Sequence, residues 1–322
     1  MATYLVTGAA GFIASKVGEQ LLDRGDRVVG VDNMNDAYDV RLKEWRLRRL
    51  EQRDGFENLR IDICDRAALR GIWRPFDAVV NLAARAGVRQ SVENPWVYFE
   101  TNTTGTLNLL DLCREHGVAK FLVASTSSLY GKHNPMPYAE DANTDLALSP
   151  YAASKKGAEA IAYTYHYLYG IDTTVVRYFT VYGPAGRPDM SLFRFTQWIS
   201  EGRPVTVFGD GSQSRDFTYV DDIARGTVAA LKPLGFEVIN LGSDKPAVLM
   251  DVIKSIEKKT GCEAQLRFED MHAADVPATW ASIEKAKALL GWEPQTYLEE
   301  GVQNLVDWYR ENRDWTRDIR TA

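Results

Sequence analysis

Tyr4-Leu5-Val6-Thr7-Gly8-Ala9-Ala10-Gly11-Phe12-Ile13-Ala14 is the point where a short apolar run stops at a glycine and the chain restarts as a helix. Tyr4–Val6 reads as a strand, Gly8 follows it directly, and Phe12 opens an amphipathic pattern continuing through Ser15–Arg24. Glycines at positions 8 and 11 let the backbone turn sharply and let a pyrophosphate approach free N–H groups at a helix N-terminus. The spacing is G-x-x-G-x-x-A, with Ala14 in the close-packing place of a third glycine. An ordinary strand–helix turn has the same look, so context has to decide. Asp32 stands 24 residues after Gly8, at the end of a second apolar run, Val28–Val31. A carboxylate there accepts from both hydroxyls of an adenosine ribose and repels a 2′-phosphate, which favours NAD over NADP; a plain loop carboxylate is the alternative.

Outward from this turn the same rhythm repeats. Asp77–Val80, Phe121–Ala124 and Thr173–Val176 read as strands, Asn58–Ile61 as a weaker one, and Trp96–His116 and Tyr151–Tyr169 as amphipathic stretches. Near-continuous apolar strands alternating with helices predict an α/β fold: a doubly wound parallel sheet with right-handed crossovers. After Tyr178 the rhythm breaks and Pro and Gly become frequent (Pro184, Gly186, Pro188, Gly209, Gly211). The expected organisation is a dinucleotide-binding domain over 1–178 and a smaller α/β substrate lobe over most of 179–322, with some segments returning to the first lobe.

The 322 residues suffice for one such unit, and a net charge of -6 argues against a general nucleic-acid binder. One basic run, Lys43, Arg46, Arg48, Arg49 and Arg53, is interleaved with Leu42, Trp45, Leu47 and Leu50, and reads as a solvated helix face or a partner surface. Cys64, Cys113 and Cys262 are far apart without C-x-x-C spacing, and His116, His133, His166 and His272 form no ligand pattern, so no metal and no disulfide is expected. With no long apolar span and a strand at the very start, a cytoplasmic protein is the expectation.

Tyr151 and Lys155 are spaced i, i+4, so one helix face presents both. A tyrosine is a poor base at neutral pH. A nearby ammonium and a positive nicotinamide ring would favour its phenolate. Ser125-Thr126-Ser127-Ser128 lies past the end of the fifth strand, where such folds bind ligands, and Thr126 there is placed to bond a substrate oxygen. Hydroxyl runs also serve as turn caps. Asp62-Ile63 is positioned to flank an adenine, and Asn81-Leu82-Ala83-Ala84 offers small residues where a cofactor backbone would pass.

Taken together, T-G-A-A-G-F-I-A, Asp32, Asn81–Ala84, Asn102, Ser125-Thr126, Tyr151-x-x-x-Lys155 and Arg177-Tyr178-Phe179-Thr180-Val181-Tyr182-Gly183-Pro184 resemble an extended short-chain dehydrogenase/reductase. Asp216–Asp222 and Asp275-Val276-Pro277 extend the resemblance over essentially the whole chain. It implies a nucleotide-sugar enzyme with an NAD site made of Gly8, Gly11, Phe12, Ile13, Asp32, Asn33, Asp62, Ile63, Leu82, Ala83, Ala84, Asn102, Ser125, Tyr151, Lys155 and Tyr178. Family dehydratases carry an Asp-Glu pair after the catalytic threonine and family decarboxylases a Ser-Glu, whereas this chain has Ser127-Ser128, which leaves an epimerase.

Gly186-Arg187-Pro188-Asp189-Met190, Asn33–Asp36 and Tyr38-Asp39-Val40 are similar to the subgroup acting on UDP-glucuronate at C4. That likeness implies a substrate site of Arg89, Thr126, Ser127, Ser128, Thr180, Arg187, Met190, Val207, Phe208, Arg215 and Asp275. Ser127, Ser128 and Thr180 are expected to hold the sugar carboxylate, with Arg187 adding charge. Val207, Phe208 and Arg215 are expected at uracil and diphosphate, and Asp275 at the uridine ribose. Many 4-epimerases have an arginine where this chain has His272. Three other readings stay open: a UDP-glucose/galactose 4-epimerase, a UDP-glucuronate decarboxylase, and a nucleotide-binding regulator without catalysis. A homodimer through helices near Trp96–His116 and Tyr151–Tyr169 is the family expectation, although burial inside the monomer would give those helices the same apolar faces.

Overall fold

The apolar runs of the first half stack as β1 (Thr3–Thr7), β2 (Arg27–Val31), β3 (Phe56–Leu59), β4 (Ala78–Asn81), β5 (Lys120–Thr126) and β6 (Asp172–Tyr178). The structure is a computed structural model describing residues 1–72, 74–271 and 275–321. A further strand, Phe236–Leu241, completes a seven-stranded parallel sheet in the order Phe236–Leu241, β6, β5, β4, β1, β2, β3. The chain reverses direction across the sheet between β1 and β4, and a crevice opens there at the strands' C-terminal ends.

Alternate residues of each strand feed opposite faces. Val6, Val80, Leu122 and Val176 join one buried cluster, while Leu5, Val79, Phe121 and Val175 join another. A third cluster around Phe193, Ile253, Val306 and Tyr309 forms the core of the second half of the chain. The helix α1 (Phe12–Asp23) covers the sheet beside β1. The helix α2 (Val40–Glu51) contributes Leu50 to the first cluster and Leu42 to the third, so it lies across the seam between them.

The observed elements depart from expectation in three places. The third strand sits at Phe56–Leu59 rather than Asn58–Ile61, because the Ile61 N–H turns back to Leu59 O. Phe236–Leu241, which the sequence reading did not mark as a strand, pairs with β6 along its whole length, within the half where some segments were expected to return to the first lobe. Trp96–His116 is not one uniform helix: a π-helical turn, Phe99–Thr104, separates Trp96–Tyr98 from Gly105–His116. Such turns carry an extra residue and are frequent at functional sites, and this one carries Asn102.

Candidate active site

The turn after β1 is built for close approach. Gly8 has φ +69, and a Cβ there would lie 2.9 Å from the Ala83 backbone, so the turns following β1 and β4 touch. The Gly11 N–H returns to Gly8 O at 2.7 Å, and the first intrahelical backbone bond runs from Ser15 N to Gly11 O. The N–H groups of Phe12, Ile13 and Ala14 open α1 toward the crevice, as the first turn of any helix does. Ala83 N is held by the Thr7 hydroxyl, whose own proton goes to Asn81. This cradle fits the pyrophosphate of a dinucleotide.

Asp32 is buried at the end of β2, accepting from Ala10 N at 3.2 Å and Met34 N at 2.8 Å. Asn33 donates to Asp62, whose carboxyl is held below the usual range by Cys64 N–H and Asn33 bonds that outweigh burial. Ile63 is buried against Gly105. Asn102 spends its amide on both backbone groups of Arg85 and on Ser154, so it shapes the strap after β4 from within. Tyr178 directs its hydroxyl to Thr227, and burial pushes its phenol up.

The basic run on α2 is not the solvated face or partner surface expected. Lys43 and Arg46 are buried, because the second half of the chain closes over α2. Lys43 Nζ lies 3.6 Å from Asp32 and 3.2 Å from Asn35 Oδ1. Only Arg48, Arg49 and their outward neighbours behave as a surface.

The helix Pro150–Tyr169 carries Tyr151 and Lys155. Ser149 caps it through Ala152 N, and Pro150 occupies its first turn. Tyr151, Lys155 and Glu159 follow at successive turns of one face. Lys155 Nζ donates to Ala124 O at 3.0 Å, and burial lowers its ammonium pKa to about 8, with Glu159 opposing. Glu159 accepts from Ser125 Oγ at 2.6 Å and from Arg177 at 2.9 and 2.8 Å, which ties the ends of β5 and β6 to this helix. Burial raises the Tyr151 phenol above its ordinary value; a Thr126 hydrogen bond and the Arg187 guanidinium pull it down. The Arg187 guanidinium thus favours the Tyr151 phenolate, and the Lys155 ammonium bonds the Ala124 carbonyl. Thr126 both caps the turn Ser127–Tyr130 through Ser128 N and donates to Ser128 Oγ at 3.1 Å. Tyr98 stands edge-on to Tyr151, ring centroids 6.1 Å apart.

Thr180, Gly186, Arg187 and Met190 line one cavity with Tyr182 and Phe193. Arg187 pairs with Asp189 (Nε–Oδ1 3.1 Å) and reaches Ala86 O at 3.3 Å. On the far side Arg89 lies 3.8 Å over the Phe208 ring and pairs with Asp275. Arg215 donates to Ser214 O and Pro277 O, and burial holds it below its ordinary value with Arg89 adding repulsion. Val207 is fully buried in the third cluster, so its side chain is core. His272 lies outside the described residues. Lys43 was read only as part of the basic run and Asp189 only as a motif member, and Arg85, Arg194 and Glu159 were not singled out at all. Only Glu159 had a readable signal, its i, i+4 spacing from Lys155; burial beside Arg89 lowers Arg194. Among the described residues no group of ≥ 3 His, Cys, Asp or Glu is arranged to hold a metal. No described helix is long and apolar enough to cross a membrane.

Residues 4–242 match the NAD dependent epimerase/dehydratase family. The chain is 56% identical over 323 residues to a UDP-glucuronate 4-epimerase of Thermodesulfobacterium geofontis, covering 99% of this chain and 100% of that one. It superimposes on the Bacillus cereus UDP-glucuronic acid 4-epimerase in complex with UDP-glucuronic acid and NAD with a TM-score of 0.90 at 37% identity, over 96% of this chain and 99% of that one. The Thermotoga maritima UDP-glucose 4-epimerase with UDP-glucose gives 0.89 at 32%, over 97% and 99%.

Proposed function

The chain belongs to the NAD dependent epimerase/dehydratase family, and on that premise we propose that it interconverts UDP-glucuronate and UDP-galacturonate by inverting C4 of the sugar. The observation that carries this reading is the placement of Arg187. Its guanidinium is electrostatically coupled to Tyr151 and lines one cavity with Thr180 and Met190. A neutral hexose offers such a cation only hydroxyl oxygens, whereas a uronic acid offers a carboxylate that can share the guanidinium with Asp189.

Tyr151, hydrogen-bonded to Thr126, takes the proton of the C4 hydroxyl and later returns it. Bound NAD would supply the acceptor and donor of the C4 hydride, the return being to the opposite face of the sugar. The residues that would hold it are the Gly8–Ala14 turn, Asp32 and Lys155. Between the two hydride steps the sugar is a β-keto acid, which loses carbon dioxide when its carboxylate tilts out of the carbonyl plane. Ser127, Ser128 and Thr180 supply short donors that restrain the carboxylate, and no side-chain acid follows Thr126 to divert the reaction to elimination.

Incubation with UDP-glucuronate and no added reductant, read by product NMR, tests this. UDP-galacturonate is the expected product; UDP-pentose or unchanged substrate overturns the reading.

We read the exposed apolar side chains of Trp96 (83% exposed), Tyr163, Tyr167 (75%) and Leu168 (58%) as belonging to a homodimer face. A cytoplasmic setting is supported by the three free cysteines.

A further inference from the structure

Arg46 sits in a run whose neighbours Arg48 and Arg49 are exposed, yet it is 2% exposed itself. Nη1 donates to Ala10 O at 3.1 Å and to the Tyr38 hydroxyl at 2.6 Å. Nε and Nη2 both donate to Ala185 O, at 2.9 and 2.6 Å, and Nη2 also reaches Gly186 O at 3.1 Å. The guanidinium lies over the Tyr38 and Phe12 rings, 5.5 and 5.8 Å from their centroids.

The carbonyls come from two places that the reaction needs in register. Ala10 lies between the two glycines of the cofactor turn. Ala185 and Gly186 immediately precede Arg187. Ala185 has φ 52, a left-handed conformation that strains a non-glycine residue; Arg46 holds that turn by its carbonyl. Lysine, a point charge on a flexible stem, cannot span these acceptors as a planar fork does. The parent helix α2 is itself anchored in the cores on both sides of the seam.

We propose that Arg46 is a positioning residue: by joining Ala10 to Ala185 and Gly186 it sets where Arg187 stands relative to the cofactor turn. Cofactor retention and carboxylate placement then depend on one side chain. The carboxylate half of this inference rests on the substrate reading above; the cofactor half does not.

The test uses Arg46→Met, Arg46→Lys and Tyr38→Phe, with Arg49→Met, an exposed partner of Glu19, as the control. The readouts are NAD retained per chain after desalting, KM and kcat for UDP-glucuronate, and the share of product released as UDP-pentose. Arg46→Met is expected to retain less NAD, to raise KM about tenfold and to release UDP-pentose, with Arg46→Lys and Tyr38→Phe shifted the same way but less. Arg49→Met is expected to match the parent protein. A purely structural role would lower the melting temperature and leave NAD retention and product partition of the folded protein unchanged; that result overturns the proposal. If Arg46→Met does not fold, Arg46→Lys and Tyr38→Phe decide by the same readouts, and parental values in both overturn it. A parent protein that makes no UDP-galacturonate contradicts the substrate reading alone, while NAD retention of the variants still decides the cofactor half.

Discussion

Lys155 is 4% exposed and spends its ammonium on one backbone carbonyl. Its pKa falls from 10.5 in the free side chain to about 8 in the fold. Between those values the unfolded chain binds more protons than the folded one, so this group's contribution makes stability rise with pH there. Below about 8 the full penalty of burying the charge applies. Lys155→Met is accordingly expected to stabilise the NAD-free protein at pH 7 by about 1–3 kcal/mol. The gain should shrink as pH rises through that window, as urea melts at pH 7 and 10 would show. A variant less stable than its parent at pH 7 would contradict this. At the sugar end, Arg187→Ala and Thr180→Ala are expected to release UDP-pentose, detectable by NMR, since each loosens the carboxylate of the keto sugar. Variants giving no UDP-pentose would count against the restraint.

At the level of elements, the join between β5, β6 and the helix Pro150–Tyr169 is a buried ion pair, Glu159–Arg177, with Ser125 attached. Glu159→Gln leaves the Arg177 cation buried without its anion and is expected to cost about 3–5 kcal/mol in denaturant unfolding. Replacing both members by methionine should recover much of that. An equal loss in the single and double variants would show that the pair is not the joint described. The glycine turn, Asp32 and the Tyr151–Lys155 spacing were legible because each is a local pattern whose geometry follows from a few neighbouring residues. The fate of α2 was not. A run of lysine and arginine with interleaved leucines has the same periodicity whether the cations meet water or carbonyls. What decides is that Ala185 and Gly186, far along the chain, fold down on Arg46. The π-helical turn at Phe99–Thr104 escaped for a related reason: only the Asn102 bonds to Arg85 and Ser154 reveal why the extra residue is there. The strand Phe236–Leu241 lies beyond the point where the regular strand–helix rhythm breaks, and its place in the first sheet is set by its pairing with β6.

For the whole molecule, Tyr167 and Leu168 stand exposed on the helix that also carries Tyr151. Sedimentation at micromolar concentration is expected to show a dimer, and Tyr167→Glu with Leu168→Glu to give a folded monomer. A monomeric parent would refute the dimer face. The central claim, that the sugar is oxidised and re-reduced at one carbon, is tested most directly by UDP-glucuronate deuterated at C4. The UDP-galacturonate formed should keep the deuterium at C4, with none lost to water and none gained from it. Washing out of the label, or its appearance at another carbon, would contradict the account.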